Sequence, residues 1–193
     1  MPLGPTTKSE VAQLATCFNE TLVFYPNSVL TIKHRLAIAT AFSELNKAVM
    51  ANYGRITSAL KRLTGYLSSH TAGCQYCQAH TILVAERYGA AQAQFDHIWE
   101  FATNPAFNAV ERAALAFAVG TSAVPNAVNE ALGDALRTHW NEGEIVEILG
   151  VMSLFGLLNR WNDSMMGTIL EAGAVAAGHQ HLAVQGWSPG KHA

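Results

Sequence analysis

Two cysteines three residues apart, with a histidine three residues further on, are the first chemistry this chain offers: Gly73-Cys74-Gln75-Tyr76-Cys77-Gln78-Ala79-His80-Thr81. The thiolate is the reactive form of cysteine, and a free thiol titrates near about 8.5. A thiol on the first turn of a helix meets unpaired backbone N–H groups and the positive end of the helix dipole, so its pKa is expected to fall. Gly73 allows a sharp turn into such a helix. At about 3.6 residues per turn the second sulfur lies roughly 60° around the helix from the first. From there a disulfide closes with little backbone movement. His80 shares a face with Cys77 and is placed to take or pass its proton, directly or through water. Two assignments follow. Cys74 is the attacking thiol, as the residue nearest the helix start and solvent; or Cys77, activated by His80, attacks and Cys74 resolves the intermediate. The second gives the histidine a task.

Blander readings compete with each of these residues. A buried pair of cysteines can be inert packing. A structural zinc site needs four ligands, there is no second CxxC, and His70 with His80 would complete a set only if their helices converged. The third cysteine, Cys17, stands among Leu14, Ala15 and Phe18 and reads as core. Glu111-Arg112 and Asn159-Arg160 with Asp163 read as ion pairs between helices. His179, His181 and His192 read as a solvated terminus. Phe95, Trp99, Phe101, Phe107 and Phe117 read as core or subunit contacts.

The elements that must position the dithiol are helices. Residues 1–8, with Pro2, Gly4 and Pro5, form an irregular arm, and Ser9 caps a helix to about Asn19. Tyr25-Pro26-Asn27-Ser28 is a break, with Ser28 or Thr31 capping a short helix. The spacing of Leu36, Ala37, Phe42, Leu45 and Val49 predicts a helix from about His34 to before Tyr53. Ile56, Leu60, Leu63 and Leu67 predict another to His70. The CxxC helix runs from Cys74 to Tyr88-Gly89, and Gln94 to Phe101 is helical. Asn108 caps the next helix, Pro125 stands near the start of one ending at Trp140, Asn141-Glu142-Gly143 is a turn, and Glu144 starts a helix to about Ile169. Residues 178–193, with Gly186, Pro189 and Gly190, read as a loose tail. No alternating β-branched run predicts a strand. The expectation is one all-α domain over residues 1–193, a helical bundle with its core at about 22–172.

Composition narrows the partners. Of 193 residues 50% are hydrophobic and 13% are charged, about half the usual charged share of roughly 25%. So little polar surface predicts a homo-oligomer. A net charge of −2 without a basic stripe argues against nucleic acid. No apolar run nears the roughly 20 residues that span a bilayer, and the first residues lack a signal-peptide pattern, so the expectation is a cytoplasmic protein off the membrane. No Gly-rich phosphate loop, EF-hand or HExxH pattern appears. Neither a cofactor nor a metal is called for.

Around the dithiol the sequence resembles the carboxymuconolactone decarboxylase-like superfamily, specifically its alkylhydroperoxidase D-like branch. The CxxC segment looks like that branch's active-site helix, and Tyr25-Pro26-Asn27-Ser28-Val29-Leu30 resembles an upstream element of related members. Phe107-Asn108-Ala109-Val110-Glu111-Arg112-Ala113-Ala114-Leu115 and Leu158-Asn159-Arg160-Trp161-Asn162-Asp163 resemble their C-terminal half, so the likeness spans most of residues 22–172. It implies an all-helical fold assembling as dimers, trimers or hexamers, and a thiol peroxidase with Cys74, Cys77 and His80 as catalytic residues. In that chemistry a thiolate takes the outer oxygen of a hydroperoxide, becomes a sulfenic acid and condenses with its neighbour to a disulfide. A dithiol donor, a lipoyl protein or a thioredoxin-like protein, restores the pair. This chain departs at two positions. The members' histidine falls where Thr81 stands, and a glutamate of their proton relay falls where Arg62 stands, beside Lys61. An arginine accepts no proton, although its charge can stabilise a thiolate. Glu86 is a substitute carboxylate only if it reaches the site from another face. Two further functions share the scaffold: decarboxylation of a lactone acid, and a non-enzymatic redox-responsive oligomer.

Overall fold

Helix starts in this chain are set by side chains that accept the free amides of the first turn. The computed structural model describes residue 24, residues 26–165 and residues 168–193. The arm at 1–8, the helix expected from Ser9 and Cys17 lie outside them. The described α-helices are α1 (Asn27–Ile32), α2 (Leu36–Met50), α3 (Ser58–Thr71), α4 (Gln75–Arg87), α5 (Gln92–Asp96), α6 (Ala109–Ser122), α7 (Glu130–His139), α8 (Glu142–Ser164) and α9 (Ala172–Leu182). Three 3-10 turns join them, at Ile98–Glu100, Ala183–Gln185 and Gly190–His192, and no strand occurs among the described residues. Thr57 caps α3, Asn129 caps α7, and Asn108 and Asn141 open α6 and α8 in capping boxes closed by Glu111 and Glu144.

Several boundaries differ from the expectation. Asn141 begins α8 rather than a turn, because its side chain accepts the Glu144 amide at 3.0 Å while Glu144 returns the contact at 2.9 Å. That helix stops at Ser164. Pro125 lies in the loop before α7, not at its start, since Asn129 supplies the cap. Neither Ser28 nor Thr31 caps α1; the N-cap is Pro26. The helical stretch from Gln94 to Phe101 is a short α5 broken at His97, then a 3-10 turn.

The largest correction is the end of the chain. Residues 178–193 are packed, not loose: α9 runs on to Leu182, and Leu182, Trp187, His181 and His192 are buried. The Trp187 indole N–H donates to the Gln75 carbonyl on α4 at 3.3 Å, and the Leu170 amide donates to the His192 carbonyl at 2.9 Å. Glycine and histidine in this segment serve packing, which composition does not reveal.

α3 sits at the centre, packed against α4, α6 and α8. It is buried on nearly every side, and its polar residues bury cheaply because the hydroxyls of Thr64 and Ser69 donate to carbonyls of their own helix. At Gly65 a Cβ would clash with the ring of Phe155 from α8, so only glycine permits this approach. α4 packs most extensively on α3 and is covered further by α8 and α9. A smaller cluster of Val29, Ile32, Ala39, Phe42 and Leu154 ties α1 and α2 to α8.

Lys61, on this central helix, is 1% exposed. Its ammonium meets Glu147 at 2.5 Å and donates to the carbonyls of Val49 at 2.7 Å and Ala51 at 2.5 Å, so all three protons are used. It thereby clamps the end of α2 to α3 and α8. Lys61→Met should lower unfolding free energy by about 3 kcal/mol, because Glu147 and two carbonyls lose their donor. Adding Glu147→Gln should recover part of the loss. Denaturant titration of both variants measures this.

Candidate active site

The dithiol lies at the start of α4. Gly73, at φ +80°, turns the chain, and Cys74 is the N-cap, its sulfur accepting the Cys77 amide at 3.4 Å. Both cysteines are free. They are not open to solvent as expected: Cys74 is 0% exposed and Cys77 3%, since α4 runs beneath its neighbours even at its first turn. The expected acidification of the second thiol is overturned as well. Burial pushes the Cys77 thiol well up from its usual range, with a further push from Cys74 and a smaller one from Asp163, against a lowering contact from Asn162. The Asn162 amide donates to the Cys77 sulfur at 3.3 Å.

What separates the two sulfurs is access. Cys77 lines a cavity of about 80 Å³, and Cys74 does not. The walls come from α1 (Val29), α3 (Arg62), α4 (Tyr76, His80) and α8 (Phe155, Asn162). An engineered cavity of roughly 150 Å³ holds benzene. This one therefore takes the reacting end of a molecule, at most about the size of a five-membered ring.

His80 is one turn beyond Tyr76, and their rings stack with centroids 4.3 Å apart; Phe24 meets the histidine edge-on at 5.7 Å. Nδ1 of His80 faces the Tyr76 carbonyl at 2.9 Å, and Nε2 faces a Glu171 carboxylate oxygen at 2.8 Å. A carbonyl only accepts, so Nδ1 carries a proton. The second contact then needs one more proton between Nε2 and Glu171: imidazolium with carboxylate, or neutral imidazole with carboxylic acid. The pair stores a proton beside the cavity. Both nitrogens are thus engaged away from the Cys77 sulfur, and the direct Cys77-to-His80 transfer allowed by the helix geometry is not made.

Glu171 was not singled out from the sequence. Its other oxygen accepts the Tyr76 hydroxyl at 3.0 Å and the Asn27 amide at the opening of α1. Burial pushes the Glu171 carboxyl up, but the His80 ring and the backbone amides outweigh it, and its pKa is lowered. Pro26 in the N-cap and a glutamate preceding α9 are the only local signals, and nothing in spacing joins positions 95 residues apart.

The other candidates have structural duties. Thr81 is buried and donates to the Cys77 carbonyl at 2.8 Å. Glu86 meets His181 at 3.3 Å, away from the dithiol's cavity, and the His70 ring meets Trp99 at a tilt of 53°, centroids 4.3 Å apart. The expected ion pairs among Glu111, Arg112, Asn159, Arg160 and Asp163 do not form as one network: Arg112 donates to the Asn104 carbonyl, Arg160 to the Gly156 carbonyl, and Asp163 pairs with Lys191. Phe95, Phe107 and Phe117 are core, whereas Trp99 is partly exposed. Among the described residues no group of three or more His, Cys, Asp or Glu is arranged to hold a metal ion.

The lowered Glu171 pKa fixes a pH dependence. Its ionised form stabilises the fold above the ordinary value of 4.5, and that contribution is lost as pH falls through the lower folded value. Thermal melts from pH 7 to pH 3 should show a shallower acid-side loss in Glu171→Gln than in the native chain, with a lower midpoint for the variant at pH 7.

Comparison with known proteins agrees with this architecture. Residues 37–120 match the carboxymuconolactone decarboxylase family model. The debrominase Bmp8 in its apo form is 33% identical, with 90% of this chain and 94% of that chain covered and a TM-score of 0.83. A cysteine-to-alanine variant of Bmp8 in complex with 2,3,4-tribromopyrrole gives 31% identity, 92% and 95% coverage and a TM-score of 0.85. An uncharacterized peroxidase-related protein from Ralstonia eutropha JMP134, described as an alkylhydroperoxidase AhpD core, gives 25% identity, 81% and 83% coverage and a TM-score of 0.70. The curated protein YnjA of Escherichia coli K12, itself uncharacterized, is 30% identical over 93 residues, which span half of its length. An all-helical scaffold, a dithiol at the head of its central hairpin and this set of relatives converge: the chain belongs to the carboxymuconolactone decarboxylase superfamily, in its alkylhydroperoxidase D-like branch.

Proposed function

We propose that the chain is a dithiol reductase in which Cys77 removes an electrophilic atom from a small substrate and Cys74 resolves the product. One observation carries this: of the two dithiol sulfurs it is Cys77 that lines this cavity, and the same cavity presents His80, backed by Glu171. In the resting site burial keeps Cys77 protonated. The attack therefore begins with loss of that proton to solvent through the cavity, and the Asn162 amide donates to the sulfur left behind.

With an organic hydroperoxide the thiolate sulfur bonds to the outer oxygen, the O–O bond breaks, and the alkoxide takes the proton held by His80 and Glu171. The Cys74 thiol then attacks the sulfenic acid, water leaves, and the disulfide forms. A second reading is favoured by the likeness to a debrominase over nearly its whole length and by apolar walls that include Val29, Val84, Phe155 and Leu158. There the sulfur takes bromine from a small halogenated ring, the ring carbon takes the stored proton, and Cys74 displaces bromide to give the same disulfide. Either cycle oxidises the dithiol by two electrons, and a dithiol donor such as a lipoyl or thioredoxin-like protein reduces it again.

With dithiothreitol as donor, loss of a hydroperoxide and release of bromide from a bromopyrrole measure the two readings. Cys77→Ser should abolish turnover. Cys74→Ser should permit at most one event per chain, and Glu171→Gln should lower kcat by about 10²-fold with KM little changed. Full activity in the Cys74→Ser/Cys77→Ser double variant would overturn the proposal. Disulfide-dependent changes in subunit assembly without turnover would point to a redox-responsive oligomer instead.

A further inference from the structure

We propose that Arg62 is the anion-binding residue of this cavity, so that the substrate is an acid whose carboxylate, or an equivalent delocalised negative charge, lies on its guanidinium. The inference rests on reading the cavity as the substrate site and adds a substrate class to it.

Arg62 lies on α3 and lines the cavity together with Cys77 and His80. Its Nε is sealed from solvent and has no hydrogen-bond acceptor among the described residues. Its guanidinium meets Tyr88, with the ring centroid 5.8 Å away and the side chain as a hydrogen-bond partner, and a neutral phenol supplies no anion. Among the described residues Arg112 and Arg160 have no carboxylate either but spend donors on the carbonyls of Asn104 and Gly156, and several other cations meet an acid. Lys61, the next residue back, is matched by Glu147; Arg55 by Glu144; Lys191 by Asp163. The carboxylate behind His80, Glu171, is committed to His80, Tyr76 and the Asn27 amide rather than to the arginine. Burial pulls the Arg62 pKa down to about 10, which still leaves it charged at neutral pH.

A guanidinium whose Nε is desolvated at the wall of a cavity is costly unless something completes it. Its planar fork matches a carboxylate in two parallel hydrogen bonds. A second group in the same wall is also incomplete: Asn162 donates to the Cys77 sulfur, but its Oδ1 is buried with no donor among the described residues. An acid group on Arg62 and an N–H or O–H on Asn162 would fix a planar molecule over the sulfur at two points. The small volume confines the part between them to a short chain or a five-membered ring.

Calorimetric titration of the reduced chain with 2-furoate and with its neutral counterpart 2-furamide tests this. The acid should bind at least about tenfold more tightly than the amide, the span of one charge-assisted contact. Arg62→Met should erase that preference and Arg62→Lys should keep part of it, with circular dichroism recording whether each variant is folded. Cys77→Ser should retain the preference, because binding does not need the reactive sulfur. Equal affinity for acid and amide in the native chain, or an undiminished preference in folded Arg62→Met, overturns the inference, and neither result bears on whether Cys77 reduces a substrate. The acid/amide ratio in the native chain decides the question even if Arg62→Met does not fold.

Discussion

The arrangement depends on one carboxylate. Glu171 gathers the amide that opens α1, the hydroxyl of Tyr76 and the ring of His80, three groups with no covalent reason to meet. Each contact compensates part of the desolvation of a buried anion, and together they keep it ionised where burial alone would protonate it. The same contacts hold the histidine upright against Tyr76 and Phe24. Positioning and proton storage are therefore one interaction, and neither can be altered alone.

The dithiol shows the opposite balance. A helix start favours negative sulfur, yet the amide of that first turn goes to Cys74, while Cys77 lies further along the helix and is held protonated by burial. This divides the labour in space: the sulfur nearest the helix end is closed off, and the sulfur facing the hollow must be activated within it. A thiol held protonated by burial is protected from adventitious oxidants, since oxidation follows thiolate character and access.

Much of this was legible from residue types. The CxxC helix, its glycine turn, the Asn108 cap and the all-helical class follow from local spacing and local hydrogen bonding. The failures are equally physical. Asn141 looked like a turn residue because Asn and Gly favour turns, but a glutamate three residues on converts the same asparagine into a helix cap. The last residues looked solvated because glycine, proline and histidine dominate them, yet the Trp187 indole and two buried histidines pull them onto α4, α9 and the preceding loop. Glu171 was invisible because a contact spanning 95 residues leaves no periodic trace. Arg62 was visible as a residue unsuited to passing protons, with a charge that can stabilise a thiolate.

Gly65 shows how such a site can be retuned from behind. The ring of Phe155 rests against its bare backbone on one side and lines the reactive hollow on another. A methyl group added at position 65 has nowhere to go except into that ring, so the hollow's far wall would shift while every sulfur, acid and cation kept its chemistry. Related chains could in this way acquire differently sized substrates through a residue that never meets them.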